Sequence, residues 1–292
     1  MSIWETIAGQ ISSVTAEVFS PNPPQHVGGG CINTAVKLSD ERRAFFVKLN
    51  RADLLDMFEA ESEGLTALAA TQTIRVPRPV CSGIAGRQAY IVMESIQMGH
   101  DRGKSAELAG RQLAEMHLTS QSQFGWYRDN NIGSTPQPNT EADNWIDFWR
   151  DQRLGFQLDL AARNGYGGEL QKLGDRLMNR FAALIDHDPA PSLLHGDLWG
   201  GNLAYDMACN PVIFDPAVYY GDREADLAMT ELFGGFGATF YAAYREAWPL
   251  DPGCPVRKTL YNLYHILNHT NLFGGGYHGQ ALGMMERLLA EV

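Results

Sequence analysis

From Ser192 to Pro216 the chain reads SLLHGDLWGGNLAYDMACNPVIFDP, and this stretch constrains the fold more than any other. Short apolar runs alternate in it with turns that carry glycine, asparagine and aspartate. It therefore reads as small strands with Asp197, Asn202 and Asp215 on the loops at their ends. Asp197 precedes Asn202 by five positions, and Asp215 follows thirteen beyond. Three polar groups at that spacing need a rigid scaffold to bring them to one job, and the rest of the chain is read for what can build it.

The first third reads as strands with one helix. Val14 to Phe19 alternates loosely before Pro21, Pro23 and Pro24 break it. Gly28-Gly29-Gly30 follows, then Ile32 to Leu38 as a strand and Arg42 to Leu49 as a second, rich in β-formers. Ala52 to Ala70 is expected to be helical, with Met57, Leu65 and Leu68 among its apolar positions. Val76-Pro77-Arg78-Pro79 stops it, because proline disfavours helix before it. Tyr90 to Met93 is a short apolar strand, and Glu94 opens a polar connection through Gly99 and Gly103. Beyond it the pattern turns mainly helical: Ala106, Ala109, Leu113 and Met116 fall on one helical face. The Gly-, Asn- and Pro-rich run from Gln121 to Asn139 is a loop whose length suggests function. The expected boundary between the two parts lies near Glu94 to Gly99.

Composition narrows the partners. The formal charge of −11 over 292 residues repels phosphate backbones and anionic membranes, so neither nucleic acid nor membrane is expected as a partner. A local pocket of backbone N–H groups and one lysine can still hold phosphate. No stretch approaches the ~20 apolar residues of a membrane span, and Met1 to Gln10 lacks a basic leader. Cys31, Cys81, Cys209 and Cys254 form no C-x-x-C pair, which fits a cytoplasmic protein with reduced thiols.

Phosphoryl transfer needs three things that the Asp197, Asn202 and Asp215 set can supply. A carboxylate, Asp197, orients an acceptor hydroxyl and takes its proton. An amide oxygen, Asn202, and a second carboxylate, Asp215, hold Mg2+ against the phosphates of ATP. The plain alternative is a pair of ordinary surface turns, and the joint spacing of all three weighs against it. Gly28, Gly29 and Gly30 let a hairpin approach phosphates closely, although a triple glycine is also a common loop. There is no Walker loop, zinc spacing or G-x-S-x-G elbow.

HGDLWGGN together with FDPAVYYGDREADLAMTELFGGF resembles the fructosamine kinase (ketosamine-3-kinase) family, within the wider aminoglycoside and choline kinase superfamily. GGGCIN, FFVKLN, MFEAESEGLTAL, VPRPV, FGWYRDNNIGSTPQPN and LYHILNHTNLFGGGY agree, so the resemblance spans nearly the whole chain. It implies an α+β, protein-kinase-like two-lobed fold. Residues 1–96 would form a small N-terminal ATP-binding lobe, a five-stranded antiparallel sheet with one helix and the hinge. Residues 97–292 would form a larger, mainly α lobe with the catalytic loop and acceptor site, and ATP and Mg2+ would lie between the lobes. Lys48 would pair with the α/β-phosphates. Its helix partner would be Glu61, with Glu59 and Glu63 as alternatives. YIVMES resembles the hinge that binds adenine through main-chain groups near Glu94 and Ile96.

On the same resemblance His195 is a scaffold residue, Asp226 anchors the catalytic loop from a helix start, and His269 contacts a substrate hydroxyl. Trp199, two residues after Asp197, would line the acceptor site, with Trp126, Asp129, Asn130 and Asp222 as weaker candidates. Cys31 stands where the family often has cysteine, and its thiol could be oxidised or bridge to a second chain; a small residue without redox role is the alternative. The implied reaction is phosphorylation of the 3-hydroxyl of a free or protein-bound ketosamine, by a monomer or a homodimer. A kinase for another small alcohol, such as an aminoglycoside or a choline-like acceptor, and a non-catalytic pseudokinase are the rival readings.

Overall fold

Ser2, with Glu5 three residues on, opens the chain. The Ser2 side chain accepts the Glu5 N–H, and the Glu5 carboxylate accepts the Ser2 N–H at 2.7 Å. This capping box satisfies two orphan donors and starts helix α1 (Ile3–Thr15). The expected strand at Val14 to Phe19 is therefore not one: its first two residues end α1, and the rest is irregular chain. The computed structural model describes residues 2–28 and 33–292.

The described chain divides into two compact units, Met1–Arg102 with Ala204–Pro216, and Gly103–Leu203 with Ala217–Val292. The first holds an antiparallel five-stranded sheet in the order β1-β2-β3-β5-β4. Its strands are β1 (Gln25–Val27), β2 (Thr34–Ser39), β3 (Ala44–Arg51), β4 (Pro79–Ala85) and β5 (Gln88–Glu94). The period of two along β3 decides what each face does. Phe45, Val47 and Leu49 join Ile7 and Ile11 of α1 in one apolar cluster with Val36, Leu38, Tyr90 and Val92. Lys48 consequently points to the opposite face, toward helix α2 (Leu55–Ala70), which buries Phe58, Leu65 and Leu68. Because β5 is covered on both faces, Ala89 to Met93 are all buried, a continuous apolar run rather than an alternation.

The sheet needs two helices where the sequence suggested one, since a single helix would leave the Val36–Val47 face in water. Strand β4 also escaped the sequence reading. Pro79 is its first residue and β4 is an edge strand, which are the positions where proline is tolerated.

The second unit is mainly helical. Helix α3 (Ser105–His117) packs on α8 (Ala238–Ala247) so closely that a Cβ on Gly110 would lie 2.3 Å from the Phe240 carbonyl oxygen. Helices α4 (Trp145–Phe148) and α5 (Phe156–Arg163) are joined by a wide π turn, Trp149–Gly155. Helices α6 (Glu169–Arg180), α7 (Glu224–Leu232), α9 (Cys254–Phe273) and α10 (Gly276–Ala290) complete it. Two small strands, Ser192–Leu194 and Tyr219–Gly221, pair antiparallel and bracket the glycine-aspartate stretch. The long loop before α4 contains a two-stranded hairpin, Asn130–Ile132 with Thr135–Gln137.

Candidate active site

In the first unit the strand pairing fixes Lys48 on both sides, opposite Ala35 on β2 and Ile91 on β5. Its ammonium is buried and lies 2.6 Å from Glu61 Oε1 and 2.6 Å from Asp215 Oδ1. Burial alone would favour neutral lysine. The Glu61 and Asp215 carboxylates outweigh it and hold the lysine pKa above its ordinary value, so Nζ stays charged. Burial pushes the Glu61 carboxyl up against the pull of the Lys48 ammonium, and the Asp215 carboxylate pushes the same way. Glu59 is exposed and the ion pair to Lys48 is made by Glu61, which selects between the candidate glutamates. Asp215 is half-exposed and has φ +59, a left-handed backbone that few aspartates adopt. Such a conformation survives only where the surroundings over-determine it, and it is commonest at functional positions.

In the second unit Asp226, near the start of α7, holds the other loop. Its carboxylate accepts the backbone N–H of His195 at 2.7 Å and of Gly196 at 2.8 Å, and faces His117 Nε2 at 3.2 Å. Burial would raise the Asp226 pKa, yet the hydrogen bonds and charge from His117 and the backbone keep it below the ordinary carboxylate value. Gly196 has φ +82, and a Cβ there would sit 2.0 Å from the Ala217 carbonyl oxygen, so only glycine fits. His195 is buried and its Nδ1 accepts the Asp197 N–H at 3.3 Å, in keeping with a scaffold role.

Asp197 itself is half-buried. The Asn202 amide nitrogen donates to the Asp197 carbonyl oxygen at 2.8 Å, which turns the Asn202 carbonyl oxygen the other way.

Beyond Asp197, Trp199 is 39% exposed and meets the Phe233 ring edge-on at 6.2 Å; Phe233 in turn lies 5.0 Å from the His269 ring. The His269 Nδ1 donates to the His265 carbonyl oxygen at 2.8 Å, leaving Nε2 as the acceptor atom of a neutral ring. Burial lowers the His269 pKa, which keeps it neutral. Trp199 and His269 thus share one aromatic row with Phe233 between them, a link that sequence spacing does not show.

The weaker candidates each have partners within the second unit, and Asp129 is exposed. Trp126 is buried and stacks on Tyr220. Asp129 caps the Asn139 N–H. Asn130 bonds Val218 O, Gln137 and Asn139. Asp222 is buried among His187, Tyr261 and the Glu224 N–H. Glu94 ends β5, and Ile96 follows in the connection that leaves it. Gly28 follows β1, while Gly29, Gly30 and Cys31, on which the glycine-loop and redox expectations rest, lie outside the described residues.

Known proteins resemble this chain in sequence and fold. The sequence model described as "Fructosamine kinase" matches residues 3–291. A "Probable ketoamine kinase" from Synechocystis sp. is 50% identical over 98% of this chain and 97% of its own length. The "Protein-ribulosamine 3-kinase, chloroplastic" of Arabidopsis thaliana is 48% identical over 90% of this chain and 81% of that protein. Among solved structures, one from Haemophilus somnus 129PT that bears the name fructosamine-3-kinase superposes with a TM-score of 0.90. It is 27% identical and covers 98% of this chain and 97% of that one. The choline kinase LicA from Streptococcus pneumoniae shares the fold, with a TM-score of 0.64 at 14% identity and 99% of each chain covered. Motifs, fold and relatives converge: this chain belongs to the fructosamine kinase family, phosphotransferases that act on a hydroxyl group.

Proposed function

We propose that this protein transfers the γ-phosphate of ATP to the 3-hydroxyl of a ketosamine, a fructosyl- or ribulosyl-amine, in a Mg2+-dependent reaction. The observation that carries the reading is the buried Lys48 ammonium held between Glu61 and Asp215. A charged lysine placed there at the cost of desolvation has a clear use as a partner for nucleotide phosphates. The names of the relatives support the ketosamine acceptor.

In this reading residues 1–96 are the ATP-binding part and residues 97–292 the acceptor part. Lys48, Glu61 and Asp215 belong to the first compact unit, and Asp197, Asn202, Trp199 and His269 to the second. Lys48 binds the α/β-phosphates and Glu61 keeps its ammonium aimed. The main chain at Glu94 and Ile96 receives adenine, and the glycine run at residues 28–30 is assigned to the phosphates. Asn202 Oδ1 and the Asp215 carboxylate are the oxygen ligands for Mg2+, which when bound neutralises charge on the β- and γ-phosphates. Asp197 takes the proton of the 3-hydroxyl as that oxygen bonds to the γ-phosphorus, while the bond to the β-phosphate oxygen breaks and ADP leaves. Trp199 offers an aromatic face to the cationic amine, and His269 Nε2 accepts a substrate hydroxyl. The 3-phosphate product is prone to spontaneous loss of its amine, so the role is deglycation. The four cysteines, without a C-x-x-C pair, support a cytoplasmic setting. No helix among the described residues is long and apolar enough to cross a membrane.

The test is ATP turnover with Mg2+ on a fructosyl-amine, a ribulosyl-amine, an aminoglycoside and choline. Ketosamine-dependent ADP release is expected, with Asp197→Asn lowering it by roughly 10²–10⁴. Turnover on an aminoglycoside or choline alone would overturn the acceptor assignment.

A further inference from the structure

The connection that leaves β5 is fastened by a residue with no role in the chemistry above. Arg75 lies between α2 and β4, and its backbone forms a parallel bridge with Val212, the Ile213 N–H donating to the Arg75 carbonyl oxygen at 3.0 Å. Its side chain spans two carboxylates: one nitrogen is 2.6 Å from Asp206 Oδ2 and the other 2.7 Å from Glu94 Oε1. Glu94 closes β5, and its N–H donates to the Arg78 carbonyl oxygen at 2.8 Å. Asp206 stands in the turn between the paired strands Leu203–Tyr205 and Pro211–Ile213, and its other oxygen accepts the N–H groups of Ala208 and Asn210.

The far end of the connection meets the same hairpin. Met98 bridges Asp206, and the Gly99 N–H donates to the Tyr205 carbonyl oxygen at 2.7 Å. A Cβ on Gly99 would fall 2.7 Å from the Asp206 carbonyl oxygen, so glycine permits the approach. Residues 94–99 are thus tied at both ends to the hairpin whose second strand leads, two residues on, to Asp215. A guanidinium presents its donors at two edges of one rigid plane and can hold both carboxylates at once; an ammonium is a single point.

We propose that Arg75 is a positioning residue for the nucleotide: its guanidinium sets the 94–99 backbone, which receives adenine, in register with the hairpin that carries Asp215. This rests on the nucleotide assignment made above. A loosened connection costs base recognition and leaves acceptor binding alone. Arg75→Met is expected to raise KM for ATP about tenfold, in the range of lost charge-assisted hydrogen bonds, and to narrow the preference for ATP over GTP by a similar factor. KM for the ketosamine should stay unchanged, and kcat at saturating ATP should stay within about twofold.

Steady-state kinetics with ATP and GTP on wild type, Arg75→Met, Arg75→Lys and Asp206→Asn test it. Arg75→Lys reaches one carboxylate and should fall between wild type and Arg75→Met, and Asp206→Asn should move in the same direction. If Arg75→Met does not fold, the two milder variants decide. Wild-type ATP parameters in both overturn the proposal. So does a loss shared equally by ATP, GTP and ketosamine, which marks a general folding defect. A wild-type enzyme that turns over ketosamine without preferring ATP to GTP would instead remove the hinge assignment on which the proposal stands.

Discussion

Replacing Lys48 by methionine keeps most of the side chain's length and removes its charge, and the two neighbouring carboxylates respond differently. Glu61 is left with a buried carboxylate and no cation, while Asp215 is 48% exposed and can turn to water. An uncompensated buried carboxylate takes up a proton instead of paying the full desolvation cost, so protonation sets the ceiling. From the ordinary glutamate value of 4.5, protonation at pH 7 costs at most 2.5 pH units at about 1.36 kcal/mol each, or roughly 3.4 kcal/mol. At pH 5 the same ceiling is about 0.7 kcal/mol. The sign comes from linkage. In the variant the folded value of Glu61 lies above the unfolded one, so its contribution is fully present below pH 4.5 and is lost as pH rises through the folded value.

Urea unfolding of wild type and Lys48→Met at pH 5 and pH 7 measures this directly. The variant is expected to be less stable by about 2–3 kcal/mol at pH 7 and by under about 1 kcal/mol at pH 5. Glu61→Gln added to Lys48→Met should recover most of the loss at pH 7, since the amide carries no charge to bury. An equal destabilisation at both pH values, or no recovery in the double variant, would refute the argument that Lys48 answers a buried charge on Glu61.

Other parts of the site give four more expected outcomes. Gly196→Ala places a Cβ 2.0 Å from a backbone oxygen at φ +82, and should lower stability by more than about 3 kcal/mol by urea unfolding or leave the protein insoluble. The lowered His269 pKa keeps the ring neutral, so KM for ketosamine should stay flat as pH falls from 8 to 6.5; a rise with a midpoint at or above 6.5 would contradict that. Removal of divalent cations with EDTA should abolish turnover. Asp215→Asn should raise the Mg2+ concentration needed for half-maximal rate at least about tenfold, read from a Mg2+ titration at fixed ATP.

Much of this arrangement was legible because the signals were local. The division into a β-rich first part and a helical remainder followed from periodicity, and Asp197, Asn202 and Asp215 followed from spacing within 19 consecutive residues. Lys48 was legible as a polar residue in a β-forming run, and the family resemblance named Glu61 as its partner ahead of Glu59 and Glu63. The approach of α2 to β3 agrees, with Glu61 making the ion pair. The features that escaped are those in which context overrides the local pattern. α1 announced itself only through the Ser2 and Glu5 box, and β4 was hidden by a proline that an edge position makes harmless. Trp126, Asn130 and Asp222 carry side-chain types typical of sugar pockets, yet stacking and hydrogen bonds inside the scaffold use them completely enough to account for their chemistry. Arg75 left no sequence signal, because its two carboxylates lie 19 and 131 residues away.

The two buried acidic centres differ in a way that separates scaffold from chemistry. Asp226 is met by two backbone N–H groups and the His117 ring, so its charge is answered by donors fixed in the fold. At Lys48 the count does not close: one ammonium faces two carboxylates, leaving an excess negative charge on partly dehydrated oxygens. Like charges that close are mutually unfavourable, and the Asp215 carboxylate adds to burial in pushing Glu61 up. A proton or a further cation relieves it, and Asp215 is the exposed member that can offer an oxygen outward. Charge left unanswered in a rigid frame is what a site requiring Mg2+ together with nucleotide is expected to look like before either arrives. On that argument, Asp215→Asn should stabilise the protein slightly in the absence of nucleotide and Mg2+ while raising its Mg2+ requirement, a trade that replacing Asp226 should not reproduce.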